Sequence, residues 1–243
     1  ALWRMIRREV EEAGSDPLLC APSANLLDHS DLGSAVASLI GQRFGTGNDY
    51  RALFTRVANE AFQAAPDIVD AASRDLQVIV RNDPAIVGML PPFLNYKGYV
   101  ALQAWRVSHW LWEHGRTDLA RLIQSESSER LQVSIHPAAS IGSSVFLDHA
   151  TGITIGAHVV IGDEVTMLQN VTIGRKQADI APRIGRGVYI GAGATIIGDV
   201  TIGDFAKIGS GTLVLHDVPA GCTAVGVDAR LTNCPESNVA TLT

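Results

Sequence analysis

Three cysteines in 243 residues, Cys20, Cys222 and Cys234, are too few and too odd in number for a disulfide framework, and none stands at metal-ligand spacing from another. Their scarcity fits reduced thiols in a cytoplasm. Long apolar runs are missing too: nothing approaches the roughly 18 to 20 residues that span a bilayer, and the opening ALWRMIRREVEEAG is amphipathic and charge-rich, without a signal-peptide core. These absences predict a soluble, cytoplasmic chain with no membrane partner. Basic charge is not in excess either. The formal charge is −6 and lysine is confined to Lys97, Lys176 and Lys207, which argues against a nucleic-acid surface while leaving arginines to grip a small anion locally.

What is present is a hydrophobic content of 47%, enough for a sizeable core, arranged in two ways that change near residue 132. Before it the punctuation is helical. SDPLL offers Asp16 as an N-cap before Pro17, HSDLGSAVASLI follows Ser30 with apolar residues at helical spacing, and APDIVDAA opens with Pro66. GTGND reads as a loop. KGYVALQAWRVSHWLWEHG carries Tyr99, Leu102, Trp105 or Arg106, and Trp110 at three- and four-residue steps and stops at Gly115, the pattern of a core helix ending in a turn.

After residue 132 a repeat of period six takes over, with aliphatic residues at Ile155, Ile161, Met167 and Ile173, then at Ile184, Ile190, Ile196, Ile202, Ile208 and Val214. A small or β-branched residue, or Pro182, lies two positions before each. This is neither the 3.6-residue period of a helix face nor the 8–12-residue spacing of a meander. It fits a three-sided prism of 18-residue coils, the left-handed parallel β-helix of hexapeptide repeats, with the aliphatic position pointing inward. The fold class is therefore α+β. Two breaks interrupt the rhythm: Leu147 to Ile155 is two residues too long, at DHATG, and Ile173 to Ile184 is five too long, at RKQADIAP. A solenoid confines insertions to its surface, where binding residues are expected.

The segments RNDPA, YKGYVALQAWRVSHWLW, IHPAASIG, LDHATG and IGAGATIIGDVTIGDFAKIGSG resemble those of the serine acetyltransferases, which acetylate the hydroxyl of L-serine from acetyl-CoA on the way to cysteine. The resemblance implies a helical N-terminal domain over residues 1–131, for oligomerisation and part of the acceptor site, a β-helix acyltransferase domain over 132–216, and a tail over 217–243. It implies His149 as general base, Asp83 and Asp148 as holders of the substrate amine, and Gly174, Ala192, Gly193 and Lys207 along the coenzyme A track. It also implies a homotrimer or a hexamer of paired trimers. Such chemistry needs no metal, and an imidazole titrating near neutrality is suited to activating a hydroxyl.

Several positions depart from the family pattern. Ser134 stands where the family carries the aspartate that orients the base, Ala157 where it carries a glutamate, and Ile180 and Ala181 where an Arg-His pair faces the serine carboxylate. Arg175, Lys176 or Arg183 are left to supply that cation. Three readings follow: a serine O-acetyltransferase, a paralogue acetylating another small amino alcohol or serine derivative, and a non-catalytic family scaffold. A γ-type carbonic anhydrase would need three zinc-binding histidines, and only His149 and His158 lie in the relevant coils. The ending NVATLT lacks the C-terminal isoleucine by which family members enter O-acetylserine sulfhydrylase, so no tight complex with that enzyme is expected.

Overall fold

A computed structural model describes residues 2–13, 26–175 and 180–226. Among them the chain forms seven helices followed by a parallel β-solenoid. The helices are α1 (Leu2–Ala13), α2 (Leu32–Phe44), α3 (Asn48–Ala64), α4 (Pro66–Asn82), α5 (Leu90–Asn95), α6 (Lys97–Glu113) and α7 (Thr117–Leu131). The N-cap of α2 is Asp31 and not Ser30: its carboxylate accepts from Ser34 N at 2.8 Å while Ser34 Oγ closes the reciprocal capping box. Helix α3 starts inside the expected GTGND loop, at Asn48. Pro66 does open α4, where its missing N–H costs nothing. The proposed cap Asp16 with Pro17, and the chain end at Thr243, lie outside the described residues.

Helix α6 is the axis of the helical part. Tyr99, Leu102, Trp105 and Arg106 are all buried, as are Val100, Ala104, Val107 and Leu111. Helix α1 is held to the segment before α6 by Glu9, whose carboxylate accepts from the backbone N–H groups of Met89 and Leu90. Helix α7 ends on Gln132 in the left-handed region (φ 57°), which turns the chain directly into the solenoid.

Short strands then stack on three faces. The first holds β1 (Val133–Ile135), β4 (Ile153–Ile155), β7 (Thr172–Gly174), β10 (Thr195–Ile197) and β13 (Leu213–Val214). The second holds β2 (Ser140–Ile141), β5 (Val160–Ile161), β8 (Arg183–Ile184) and β11 (Thr201–Ile202), and the third β3 (Phe146–Leu147), β6 (Thr166–Met167), β9 (Tyr189–Ile190), β12 (Lys207–Ile208) and β14 (Thr223–Ala224). All ten aliphatic positions of the hexapeptide register are buried, none more than 5% exposed. Each such side chain contributes roughly 1.5–3 kcal/mol by leaving water, so the register cannot slip without loss.

The pairing turns the two sequence breaks into geometry. Ile155 pairs with Ile173, eighteen residues on, but Ile135 pairs with Ile155, twenty on, and Ile173 with Ile196, twenty-three on. The extra two residues are those of DHATG, at the corner joining the third face to the first. The extra five lie between β7 and β8, at the corner joining the first face to the second. A third break went unread in the sequence: Ile208 pairs with Ala224, only sixteen residues on, and Val218 bridges Ile202. The side through Leu215–Asp217 is two residues short, so parallel pairing runs past residue 216, where the hexapeptide pattern stops being legible.

Candidate active site

A solenoid corner ordinarily needs one residue in the left-handed region; Ser144, His158, Glu164, Asn170 and Phe205 serve this way. At LDHATG two residues in succession, His149 (φ 56°) and Ala150 (φ 60°), take that conformation, and Gly152 (φ 77°) follows. Ala150 N donates to Asp148 O at 2.6 Å and Thr151 N to His149 O at 2.8 Å, so the insertion is a compact double turn. Left-handed backbone costs an L residue roughly 1–2 kcal/mol. That cost projects the imidazole out of the solenoid, where its side chain is 71% exposed. Gly152 N bonds back to Gln132 O, tying the turn to the end of α7.

The helical part closes over this turn. Gly98, in the first turn of α6, lies so close that a Cβ there would sit 2.2 Å from Leu147 O and 3.0 Å from Ala150 Cβ. Lys97 Nζ donates to Thr151 Oγ1. The result is a cavity of about 240 Å³ lined by Asp83, Asn95, Tyr96, Lys97, Gly98, Leu147, Asp148 and His149. Asp83, Asp148 and His149, drawn from segments 66 residues apart in the chain, therefore meet in one place.

Asp83 is held by two donors, the Tyr96 hydroxyl to Oδ2 at 2.6 Å and Ala85 N to Oδ1 at 2.9 Å. These hydrogen bonds, that from Tyr96 foremost, hold its pKa below the ordinary carboxylate value. Burial, with the neighbouring Asp83 carboxylate second, pushes the Tyr96 phenol up to about 12, so it stays a donor at neutral pH. Asp148 Oδ1 lies 3.7 Å from His149 Nε2, close enough for charge attraction but too long for a hydrogen bond. Two carboxylates and an imidazole around a small polar cavity can hold an ammonium group and take a proton from a hydroxyl beside it. Tyr96, Asn95 and Lys97 were not singled out in the sequence, although Tyr96 and Lys97 open the quoted YKGY run.

Not every expected residue is in this cavity. Ser134 is on β1, where its hydroxyl accepts from Gln124 Nε2 at 3.3 Å and makes no hydrogen bond with His149 within the chain. Arg183 lies at the opposite corner of the first face, in a cavity of about 340 Å³ with His158, Ile180, Ala181 and Asp199. Arg175 is on the same corner and helps to lower the His136 pKa, behind burial and the charges of His158 and Arg121. Lys176 is outside the described residues. His149 and His158 stand at different corners, each lining a different one of these two cavities.

Below the His149 turn runs a column of corner residues, one per coil. Gly193 N donates to Gln169 O and Gly211 N to Ala192 O, whereas the N–H groups of Gln169, Ala192 and Ser210 have no hydrogen-bond partner among the described residues. Successive coils are about 4.8 Å apart, so these donors form a ladder suited to carbonyl or phosphate oxygens. Gly174 ends β7 on the first face, and Lys207 is exposed on the third.

Two family models match: "Serine acetyltransferase, N-terminal" over residues 2–104 and "Bacterial transferase hexapeptide (six repeats)" over residues 181–216. The serine acetyltransferase of Salmonella typhimurium is 41% identical over 242 residues, which cover 98% of this chain and 89% of that one. Among solved structures, serine acetyltransferase from Brucella abortus in complex with coenzyme A superposes with a TM-score of 0.90 at 39% identity, over 94% of both chains. Soybean serine acetyltransferase complexed with serine gives a TM-score of 0.89 at 40% identity, over 95% of this chain and 97% of that one. The helices and the solenoid are thus those of a known enzyme class, and the chain belongs to the serine acetyltransferase family.

Proposed function

We propose that this chain transfers the acetyl group of acetyl-CoA to the hydroxyl of L-serine, releasing O-acetylserine and coenzyme A. The observation that carries the reading is the cavity where His149 stands beside Asp83 and Asp148. The two carboxylates take the ammonium group, which turns the hydroxyl toward the imidazole. His149 removes the hydroxyl proton as the oxygen attacks the thioester carbonyl. Collapse of the tetrahedral intermediate breaks the C–S bond, and the imidazolium returns the proton to the departing thiolate. The solved relatives with serine and with coenzyme A support both substrates. On this reading Ala192 and Gly193, with Gly174 and Lys207, accompany the pantetheine and phosphates of the coenzyme.

The serine carboxylate needs a cation, and the one lysine or arginine that lines the cavity among the described residues, Lys97, donates to Thr151. Arg183 and Arg175 are at the other corner, so they reach the acceptor only if a second copy brings that corner against the first. A threefold ring of prisms does this, and we take the enzyme to be a trimer or a pair of trimers joined through the helices. A cytoplasmic setting fits the exposed, unpaired thiol of Cys222. Among the described residues no helix is long and apolar enough to cross a membrane.

Ile180, Ala181 and Arg183 around one cavity also favour a second reading, an acceptor that is a serine derivative or another small amino alcohol. Thiol release from acetyl-CoA, measured with L-serine, D-serine, homoserine and O-substituted serines in parallel, separates the two. L-serine as the one fast acceptor is the expected result. A faster homologue transfers the assignment to it, and silence with all of them while coenzyme A still binds removes catalysis altogether.

A further inference from the structure

A second cavity, of about 260 Å³, opens where the α3–α4 turn, α6 and the first coil meet. Its walls are Trp105, His109 and Trp110 of α6, its floor is Ile68, Ala71 and Ile141, and Asp67 and Glu113 stand at its rim. Nothing in the acetyl-transfer reading uses it. Its size falls just below the range of drug-sized pockets, roughly 300–1,000 Å³.

Three features settle the chemistry of an occupant. The first is charge. Arg106 also lines the cavity, but its guanidinium is paired with buried Asp75 at 2.7 Å, so Asp67 and Glu113 leave the lining net negative. The second is aromatic surface. Trp110 is half-buried beside the Trp105–His109 stack, whose centroids are 5.2 Å apart; His114 already stacks on Trp110 at 4.4 Å and the Arg106 guanidinium lies 5.6 Å over Trp105, so the rings offer indole surface to an apolar or aromatic body. The third is the histidine tautomer. His109 Nδ1 lies 2.7 Å from Pro137 O, and a carbonyl can only accept, so Nδ1 carries a proton and in that tautomer Nε2 is the acceptor.

An acceptor nitrogen, two carboxylates and indole surface over an aliphatic floor suit one class of ligand. We propose that this cavity binds a small primary amine with an apolar or aromatic body, its ammonium between Glu113 and Asp67 and its body against Trp110 and Ile68. Helix α6 links it to the acceptor cavity: Lys97 and Gly98 line one at the start of the helix, and His109, Trp110 and Glu113 line the other at its end. An occupant is thereby placed to bias the acceptor site through one rigid element about 25 Å long.

The test uses phenethylamine as probe, with 2-phenylethanol and phenylacetate as neutral and anionic controls of similar shape. Binding to the full-length protein is followed by titration calorimetry and tryptophan fluorescence. The amine is expected to bind at least tenfold more tightly than either control. Glu113→Gln is expected to weaken it about tenfold and Trp110→Ala to weaken it further, with thiol release from acetyl-CoA and L-serine within twofold of wild type for both variants. Equal affinity for amine and alcohol overturns the proposal, as does amine binding that is absent, is unmoved by both substitutions, or is competed away by L-serine. Wild-type thermal unfolding of Glu113→Gln keeps the comparison valid if Trp110→Ala loses stability.

Discussion

Replacing Asp75 with asparagine removes one charge without changing shape, at the point where the helices are fastened to the solenoid. Asp75 is fully buried and Arg106 is 7% exposed. Asp75 Oδ2 accepts from Arg106 Nη2 at 2.7 Å and Nε at 3.1 Å and from Gln103 Nε2 at 3.2 Å, while Oδ1 accepts from Val145 N at 3.0 Å. Arg106 Nη2 reaches across to Gly142 O at 2.8 Å. The pair therefore joins α4 and α6 to the first coil by two backbone contacts. Breaking a buried pair by removing one partner costs about 3–5 kcal/mol, because the other charge stays buried without compensation. For a chain of this length, 1 kcal/mol shifts Tm by about 2–4 °C, so Asp75→Asn is expected to melt about 6–20 °C below wild type at equal protein concentration. The double variant Asp75→Leu/Arg106→Leu removes both charges but leaves Val145 N–H, Gly142 O and the fully buried Gln103 amide without these partners, each a loss of about 1–3 kcal/mol, so it is expected to melt below wild type as well. Scanning calorimetry reads both. A shift under 2 °C for Asp75→Asn, or a double variant as stable as wild type, would refute the reasoning. Where Asp75→Asn still folds, kcat/KM for serine should fall more than coenzyme A affinity, since Asp83 and Tyr96 belong to the helices and the N–H ladder to the solenoid.

Four further outcomes are expected. His149→Ala abolishes thiol release while leaving the Kd for coenzyme A within about twofold by calorimetry; substantial residual turnover places the base elsewhere. Ser134→Asp raises kcat/KM and moves the acidic limb of its pH profile upward, because a nearby anion favours the protonated ring; a slower enzyme at every pH gives the Ser134 hydroxyl a substrate contact of its own. In the wild type, Asp83 stays ionised below the ordinary carboxylate pKa, so its grip on the substrate amine holds above that value and is lost only as pH falls through its own lower one; Tyr96→Phe moves the loss of serine binding to higher pH, toward about 3.9, and an unmoved profile by NMR titration refutes the Tyr96 contribution. Gly98→Ala, which in an ordinary helix gains about 1 kcal/mol, is expected instead to lower Tm and serine kcat/KM together, because the new Cβ meets Leu147 O.

How far the sequence could be read depended on whether a signal was local. The hexapeptide register is a local spacing, and every inward residue it named is buried. The two insertions were legible because a solenoid turns any count other than six into a bulge at a known corner. The shortened side at Leu215–Asp217 was not, since it deletes residues and leaves no unmatched run to notice. The fastening by Asp75 and Arg106 was illegible for another reason: on helices, charges usually mark a solvated face, and only the fold shows that both face the first coil. Tyr96 belongs with these, because a tyrosine before a helix signals nothing until Asp83 is seen 2.6 Å from its hydroxyl.

The place of the site along the solenoid follows from the same geometry. Any corner of the prism could hold two extra residues, yet left-handed backbone at both His149 and Ala150 is strained, and a bare corner would relax it. At LDHATG relaxation is opposed from two sides. Gly98 presses the start of α6 onto Leu147 and Ala150, and Gln132, at the end of α7, receives Gly152 N. Both restraints come from the helices, which reach only the first coils, so the strained turn is held there and at no later corner. The same contact delivers Asp83 and Tyr96. On the proposed reading the solenoid supplies the base, and the helices supply both the conformation that exposes it and the carboxylate that completes the amine site, so neither part would carry the chemistry alone.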